Sequence, residues 1–212
     1  PQNPRAPLGY KLVFNVAGLT NEYTGDAVVI RGGKVVDLPA CTEPEEIDFP
    51  LPVGRCEAFL TSGGTSTAPW TFEGRLQTYD YKTVRYRGHY ENVRCLIDLG
   101  FLDTDPVAAG AVTVVPRELA HVLFERSLTF PDDPDLVVLR VECTGDGPDG
   151  AEGAAGYRID ILDFQDPTTG FTAMERTTAF PAAIVTFLQA SGVVPAGAHP
   201  LEIAVPADRF VA

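Results

Sequence analysis

The sequence predicts an α+β fold: a mixed, mainly antiparallel sheet with helices packed on one face. Three observations carry that expectation. A Gly32-Gly33 pair separates two β-rich runs, which demands antiparallel pairing. Helical periodicities recur downstream, interleaved with further strand-like runs. Gly 20 plus Pro 18 in 212 residues also give more turns than a helical bundle needs.

In chain order, residues 1–7 hold three prolines and read as a linker. Residues 27–31 (AVVIR) and 34–38 (KVVDL) form the hairpin, because both glycines of its turn accept φ > 0 without steric cost. Residues 55–60 (RCEAFL) read as a strand running into a small polar loop. Residues 75–86, rich in alternating Tyr, Thr and Val, read mostly as strand. Within 89–99, Val93, Leu96 and Ile97 recur at i, i+3, i+4, and Gly100 stands where a left-handed cap would end a helix. Pro116 opens a second helix with Leu119, Val122 and Leu123 on its apolar face. Pro181 opens a third, with Ile184, Val185 and Leu188 inward and Gly192 beyond its end. Residues 136–143 and 157–163 are two more strands. In the second, Arg158, Asp160 and the Asp163 region alternate with apolar residues, so one face should be wet. The Gly/Asp-rich stretch 144–153 is the loop between them.

The whole chain reads as a single domain, 1–212. Its hydrophobic share of 45% supports a real core, and its net charge of −13 repels nucleic acid and anionic membranes. No apolar run reaches the roughly 18 residues of a membrane span. The four cysteines, Cys41, Cys56, Cys95 and Cys143, have neither CxxC spacing nor a histidine at zinc-ligand distance. They read as reduced thiols, which points to the cytoplasm. The chain begins with Pro rather than Met and reads as part of something longer.

Residues 145–150 (GDGPDG) match G-x-G-x-x-G and follow a strand, yet the chemistry is wrong for a dinucleotide. Asp146 and Asp149 would repel a pyrophosphate. A strand follows, not a helix whose N-terminus could hold an anion. The expectation is a plain hairpin loop, with no cofactor bound by this chain.

Two stretches carry candidate chemistry. Residues 59–70 (FLTSGGTSTAPW) concentrate glycine and hydroxyls, so Gly64, Thr65, Ser66 and Thr67 are candidates to hold a small polar substrate through backbone and hydroxyl groups. Residues 79–90 (YDYKTVRYRGHY) pack Lys82, Arg85, Arg87 and His89 into an acidic protein. In a strand, Tyr81, Thr83 and Arg85 share one face, and Lys82, Val84 and Tyr86 the other. Arg85 offers a forked donor suited to a carboxylate. His89 titrates near neutrality and is a candidate acid/base, with Lys82 beside it. Asn21 and Tyr23, in a presumed loop before the hairpin, and Tyr86 complete the substrate-facing set.

These two stretches, followed by DLGFLD at 98–103, resemble the carboxyl-terminal domain of the saccharopine dehydrogenase family, in the manner of its lysine 6-dehydrogenase branch. PLGY at 7–10 and GLTNEYTG at 18–25 resemble that family's opening. ERTTAFPAAI at 175–184 resembles a helix start near its end. Arg87, where the family more often has Pro, and Ala179, where it has Gly, depart from the pattern. The resemblance implies NAD(P)-dependent oxidation at the CH–NH group of an amino acid such as lysine. It implies NAD or NADP held by a Rossmann domain absent from this chain, and a homodimer built through the present one. The isolated chain would then be inactive. A non-catalytic ligand-binding or assembly module of the same fold is the alternative.

Overall fold

The computed structural model describes residues 1–147 and 155–211. The α+β class holds, but the strands divide among small antiparallel sheets instead of sharing one. Helix α1 (Val16–Tyr23) leads into the hairpin β1 (Asp26–Arg31) and β2 (Lys34–Pro39), whose turn has Gly32 and Gly33 at φ 58° and 80°. The strand β5 (Thr78–Tyr79) adds to the other edge of β1. A second sheet orders β3 (Thr42–Asp48), β4 (Arg55–Leu60) and β6 (Lys82–Tyr86) as β3-β4-β6.

The chain changes sheets at a corner. The Ala40 amide donates to Gly25 O, and the next amide, Cys41, donates to Leu60 O at the end of β4. Cys41 takes φ 55° to make that turn. Pro39 just before it has no N–H with which to continue the first ladder. A similar break splits the predicted strand 75–86: residues 75–77 turn, and only β5 and β6 pair.

Helix α2 (Ala68–Phe72) follows the hydroxyl loop, and α3 (His89–Asp98) follows β6. Gly88 supplies the left-handed φ of 87° between β6 and α3. A small hairpin, β7 (Val107–Ala109) with β8 (Val112–Val114), precedes α4 (Pro116–Leu128), which starts at Pro116 as expected. Leu119, Val122 and Leu123, expected on its apolar face, are exposed; Ala120 and Leu128 are the buried positions.

The strands β9 (Leu136–Gly145) and β10 (Ala155–Phe164) pair antiparallel from Gly145↔Ala155 to Phe164↔Leu136. The expected hairpin is therefore present on both sides of the loop, while residues 148–154 lie outside the described residues. The charged face is open at its far end as expected, with the Arg158 and Glu142 side chains 49% and 56% exposed, but the apolar face is open too. Tyr157, Ile159 and Ile161 on β10, with Leu139 and Val141 on β9, form an apolar ladder that is exposed. The opposite face holds Arg140 paired with Asp160, the Arg140 guanidinium lying 4.5 Å from the centre of the Phe49 ring.

Helix α5 (Ala173–Ala190) starts eight residues before Pro181, which lies inside it. Thr172 and Glu175 form a capping box, and the Asp135 carboxylate accepts from the Ala173 and Met174 amides at 2.7 and 2.9 Å. Those caps fix a helix start that proline alone does not. Leu188 is buried as predicted, whereas Ile184 is exposed. Two short helices, α6 (Leu201–Ala204) and α7 (Ala207–Phe210), end the described chain and bury no residue. The main core joins Leu8, Leu19, Tyr23, Phe59, Val93 and Leu128. A second cluster packs Phe49, Val53 and Cys56 against Leu136, Val138 and Leu162, closing β9–β10 onto the β3-β4-β6 sheet.

Candidate functional site

A hollow of about 410 Å³ lies between the β3-β4-β6 sheet and β9, bounded also by the amino-terminal segment; Tyr10, Glu22, Lys82, Arg85, Tyr86 and Arg140 are among its walls. Arg85, on the edge strand β6, reaches this hollow. It pairs with Glu57 across β4 and β6, and the Glu57 carboxylate accepts from the Gly88 and Tyr90 amides, capping α3. A carboxylate at a helix N-terminus satisfies donors that the helix cannot.

Arg85 is the end of a buried relay. Its Nε donates to Tyr23 Oη at 3.2 Å, Nη1 donates to Val84 O at 3.0 Å, and Nη2 donates to Glu22 Oε2 at 3.2 Å. Its guanidinium lies 4.9 Å from the Tyr10 ring centre. Behind it, Tyr23 Oη and His89 Nε2 are 2.9 Å apart, and His89 Nδ1 is 2.9 Å from Leu8 O. A carbonyl only accepts, so Nδ1 carries the proton. Nε2 is then an acceptor, and the Tyr23 hydroxyl donates to it. The Tyr23 hydroxyl and both ring nitrogens of His89 each meet a complementary group.

His89 is 1% exposed, among the rings of Phe59, Tyr10 and Tyr23. Burial first, then the Arg85 charge, pushes its pKa down to about 3. It is a neutral, fully bonded core group that reaches no open surface, which corrects the expectation of an acid/base there. Burial likewise raises the Glu22 carboxyl above its ordinary value, with Arg85 acting against the rise.

The remaining sequence-predicted residues separate into two groups. Lys82 and Tyr86 line the hollow: Lys82 pairs with Glu45 at 3.1 Å, and the Tyr86 hydroxyl donates to Pro1 O. Asn21 lies on α1, not in a loop, and its carbonyl accepts from Ser62 Oγ. The loop from Gly64 to Thr67 is not part of the hollow's wall. Thr65 donates to Val28 O, and Thr67 donates to the Glu202 carboxylate at 3.0 Å, which Thr71 also reaches at 2.6 Å. Ser66 is exposed at φ 49°. Two of the loop's hydroxyls thus hold the fold together instead of facing the hollow. Gly64 supports the hollow at one remove, because its backbone lies against the ring of Tyr81, which does line it.

Sequence reasoning missed Glu22 and Tyr10. Glu22 was legible: Asn15 followed by Val16, Leu19, Thr20 and Tyr23 at i, i+3, i+4, i+7 is a capped helix, and all four are buried. Tyr10 lies in the PLGY stretch that resembles the family's opening, but no local pattern says that its ring will meet Arg85. A second hollow of about 690 Å³ lies between α5 and the terminal helices, walled by Pro181, Val185, Leu201, Val205 and Phe210, with Glu202 at its edge. Among the described residues no group of three or more His, Cys, Asp or Glu is placed to hold a metal, and no helix is long and apolar enough to cross a membrane.

The fold is thus a domain of helices and small antiparallel sheets around a hollow that Arg85, Lys82 and Tyr86 help to line. The chain belongs to the saccharopine dehydrogenase C-terminal domain family, whose model matches residues 1–211. In fold it is similar to apo histidine-tagged saccharopine dehydrogenase (L-Glu forming) from Saccharomyces cerevisiae, with a TM-score of 0.67 at 17% identity. That match covers 92% of this chain and 57% of the yeast chain, so this chain spans little more than half the length of that enzyme.

Proposed function

We propose that this chain is the substrate-binding and dimerisation domain of an NAD(P)-dependent, saccharopine dehydrogenase-type oxidoreductase acting on the CH–NH group of an amino acid such as lysine. Family membership supports the reaction class. The observation that carries the site is Arg85, held rigidly at the wall of the hollow with N–H groups to spare. Of its five donors, three have protein partners. The others suit a substrate carboxylate. Tyr23 and His89 are positioning residues that fix the guanidinium from behind. Lys82 and Tyr86 bound the space beside it, and the loop at Gly64–Thr67 with Asn21 braces Tyr81 and α1 from outside.

On this reading the dinucleotide is held outside this chain. Its G-x-G-x-x-G stretch starts at the end of β9, which pairs antiparallel with β10, and carries Asp146 and Asp149, whose charges oppose a pyrophosphate. NAD or NADP would therefore bind on another domain, and the chain's contribution is to orient the substrate. A homodimer through the exposed Leu139, Val141, Tyr157, Ile159 and Ile161 ladder accompanies this reading, because such a contiguous apolar face is costly to leave in water. A cytoplasmic setting agrees with four free cysteines.

The test is binding of L-lysine to the 212-residue chain by NMR titration, with Arg85→Ala beside it. Loss of a charge-assisted contact should weaken binding roughly tenfold or more. No binding by the wild-type chain, equal binding by the variant, or lysine oxidation with NAD by the chain alone would each defeat the reading.

A further inference from the structure

The charged groups around the hollow are paired with one another or with the backbone. Lys82 is paired with Glu45, Arg140 with Asp160, and Asp80 with Arg31 at 2.8 Å. Lys11 donates to Asp133 O. Arg85 and Glu22 form a further pair in which both partners keep hydrogen-bonding capacity. Arg85 keeps two N–H groups without a partner among the described residues, and Glu22 uses only Oε2. Its other oxygen accepts no hydrogen bond from any described residue. Both side chains are largely but not wholly covered, at 16% and 30% exposure. The guanidinium and the carboxylate therefore lie side by side on the wall, with Arg85 Nη2 3.2 Å from Glu22 Oε2.

That is the pattern of an α-amino acid head group, whose carboxylate and ammonium hang from one carbon. A carboxylate docking on Arg85 without an ammonium would meet the Glu22 charge at close range, and like charges in a partly buried site repel strongly. An adjacent ammonium turns that repulsion into attraction.

We propose that Glu22 is a specificity-determining residue of the hollow: it binds the α-ammonium of a zwitterionic substrate and selects amino acids against carboxylates that lack that group. The proposal rests on the hollow being the substrate site. It assigns Glu22 a contact with the ligand beyond its contact with Arg85.

The experiment compares L-lysine with 6-aminohexanoate, which differs by lacking the α-amine. Both are titrated into the wild-type chain and into Glu22→Gln, and followed by NMR. The wild type should favour lysine about tenfold or more. Glu22→Gln should lose that preference by binding lysine less well, while its affinity for 6-aminohexanoate stays within about twofold or rises as the repulsion is removed. Equal weakening of both ligands would show that Glu22 only holds Arg85, overturning the proposal while leaving the substrate site standing. Unchanged binding of both would overturn it as well. A wild-type chain that binds both alike refutes it without any variant, which keeps the test decisive if Glu22→Gln folds poorly. A wild-type chain that binds neither removes the substrate site itself, and this inference with it.

Discussion

Acidification should destabilise this domain through His89. In the fold the ring is neutral with its pKa near 3, against about 6.5 in the unfolded chain. Between those values the unfolded state binds a proton that the folded state does not, so stability falls as pH falls. Each pH unit within the window costs about 1.4 kcal/mol. The loss is about 2 kcal/mol between pH 7 and pH 5, and roughly 3 kcal/mol by pH 4. For a chain of this size, 2 kcal/mol corresponds to a fall in Tm of about 4–8 °C. The assay is urea unfolding at fixed temperature across that range, for the wild type and His89→Gln. The amide can still donate to Leu8 O but carries no titrating proton. The variant should be less stable at pH 7 and should lack the acid limb. Subtracting the two curves removes the carboxyls common to both, including Glu22, whose raised pKa acts in the opposite sense, and Glu202, whose hydrogen bond from Thr71 lowers its own. Parallel curves, or a His89 ring that titrates above pH 5 by nitrogen-15 NMR, would refute the neutral relay.

Two further outcomes follow from packing. A Cβ at Gly64 would lie 1.9 Å from Tyr81 Cδ1, so Gly64→Ala must displace the ring; calorimetry should show a loss of roughly 1–3 kcal/mol, and titration a weaker ligand, since Tyr81 borders the hollow. Equal stability and binding would mean that the loop does not support the site. The chain should self-associate in sedimentation, and Ile159→Glu should return it to monomer without lowering Tm, because that side chain is 58% exposed in the protomer; a wild-type monomer at high concentration would remove the dimer reading.

Local chemistry made much of this fold legible. The Gly32-Gly33 turn, the strand Arg55–Leu60, the helix His89–Asp98 and the start of α4 at Pro116 all appear where sequence places them, because each is decided by backbone freedom or short-range periodicity. What failed was decided at long range. The start of α5 depends on Asp135, 38 residues upstream of the amide it caps. The apolar ladder of β9–β10 is left open because Leu136, Val138 and Leu162 on the other face pack against Phe49, Val53 and Cys56, which alternation alone cannot reveal. The candidate site divides the same way. Arg85 was recognisable as a forked donor in an acidic chain. Nothing local says that the hydroxyls of Thr65 and Thr67 will be taken by Val28 and Glu202, or that His89 will be sealed beneath Tyr23.

The sealing of His89 has a chemical consequence for Arg85. A guanidinium on a flexible stem loses considerable rotamer entropy when a ligand immobilises it, about 0.5–1.5 kcal/mol for such a side chain. Here that loss occurs on folding, because Tyr23, Val84 and Glu22 already fix three of its donors. A histidine serves this better than a carboxylate would. An anion at position 89 would draw the arginine's charge inward and compete with a ligand for it, whereas a neutral imidazole orients the Tyr23 hydroxyl without adding charge. Placing His89 in the positioning shell therefore requires that Tyr23→Phe and His89→Gln weaken carboxylate binding while leaving its dependence on pH, through Glu22, in place.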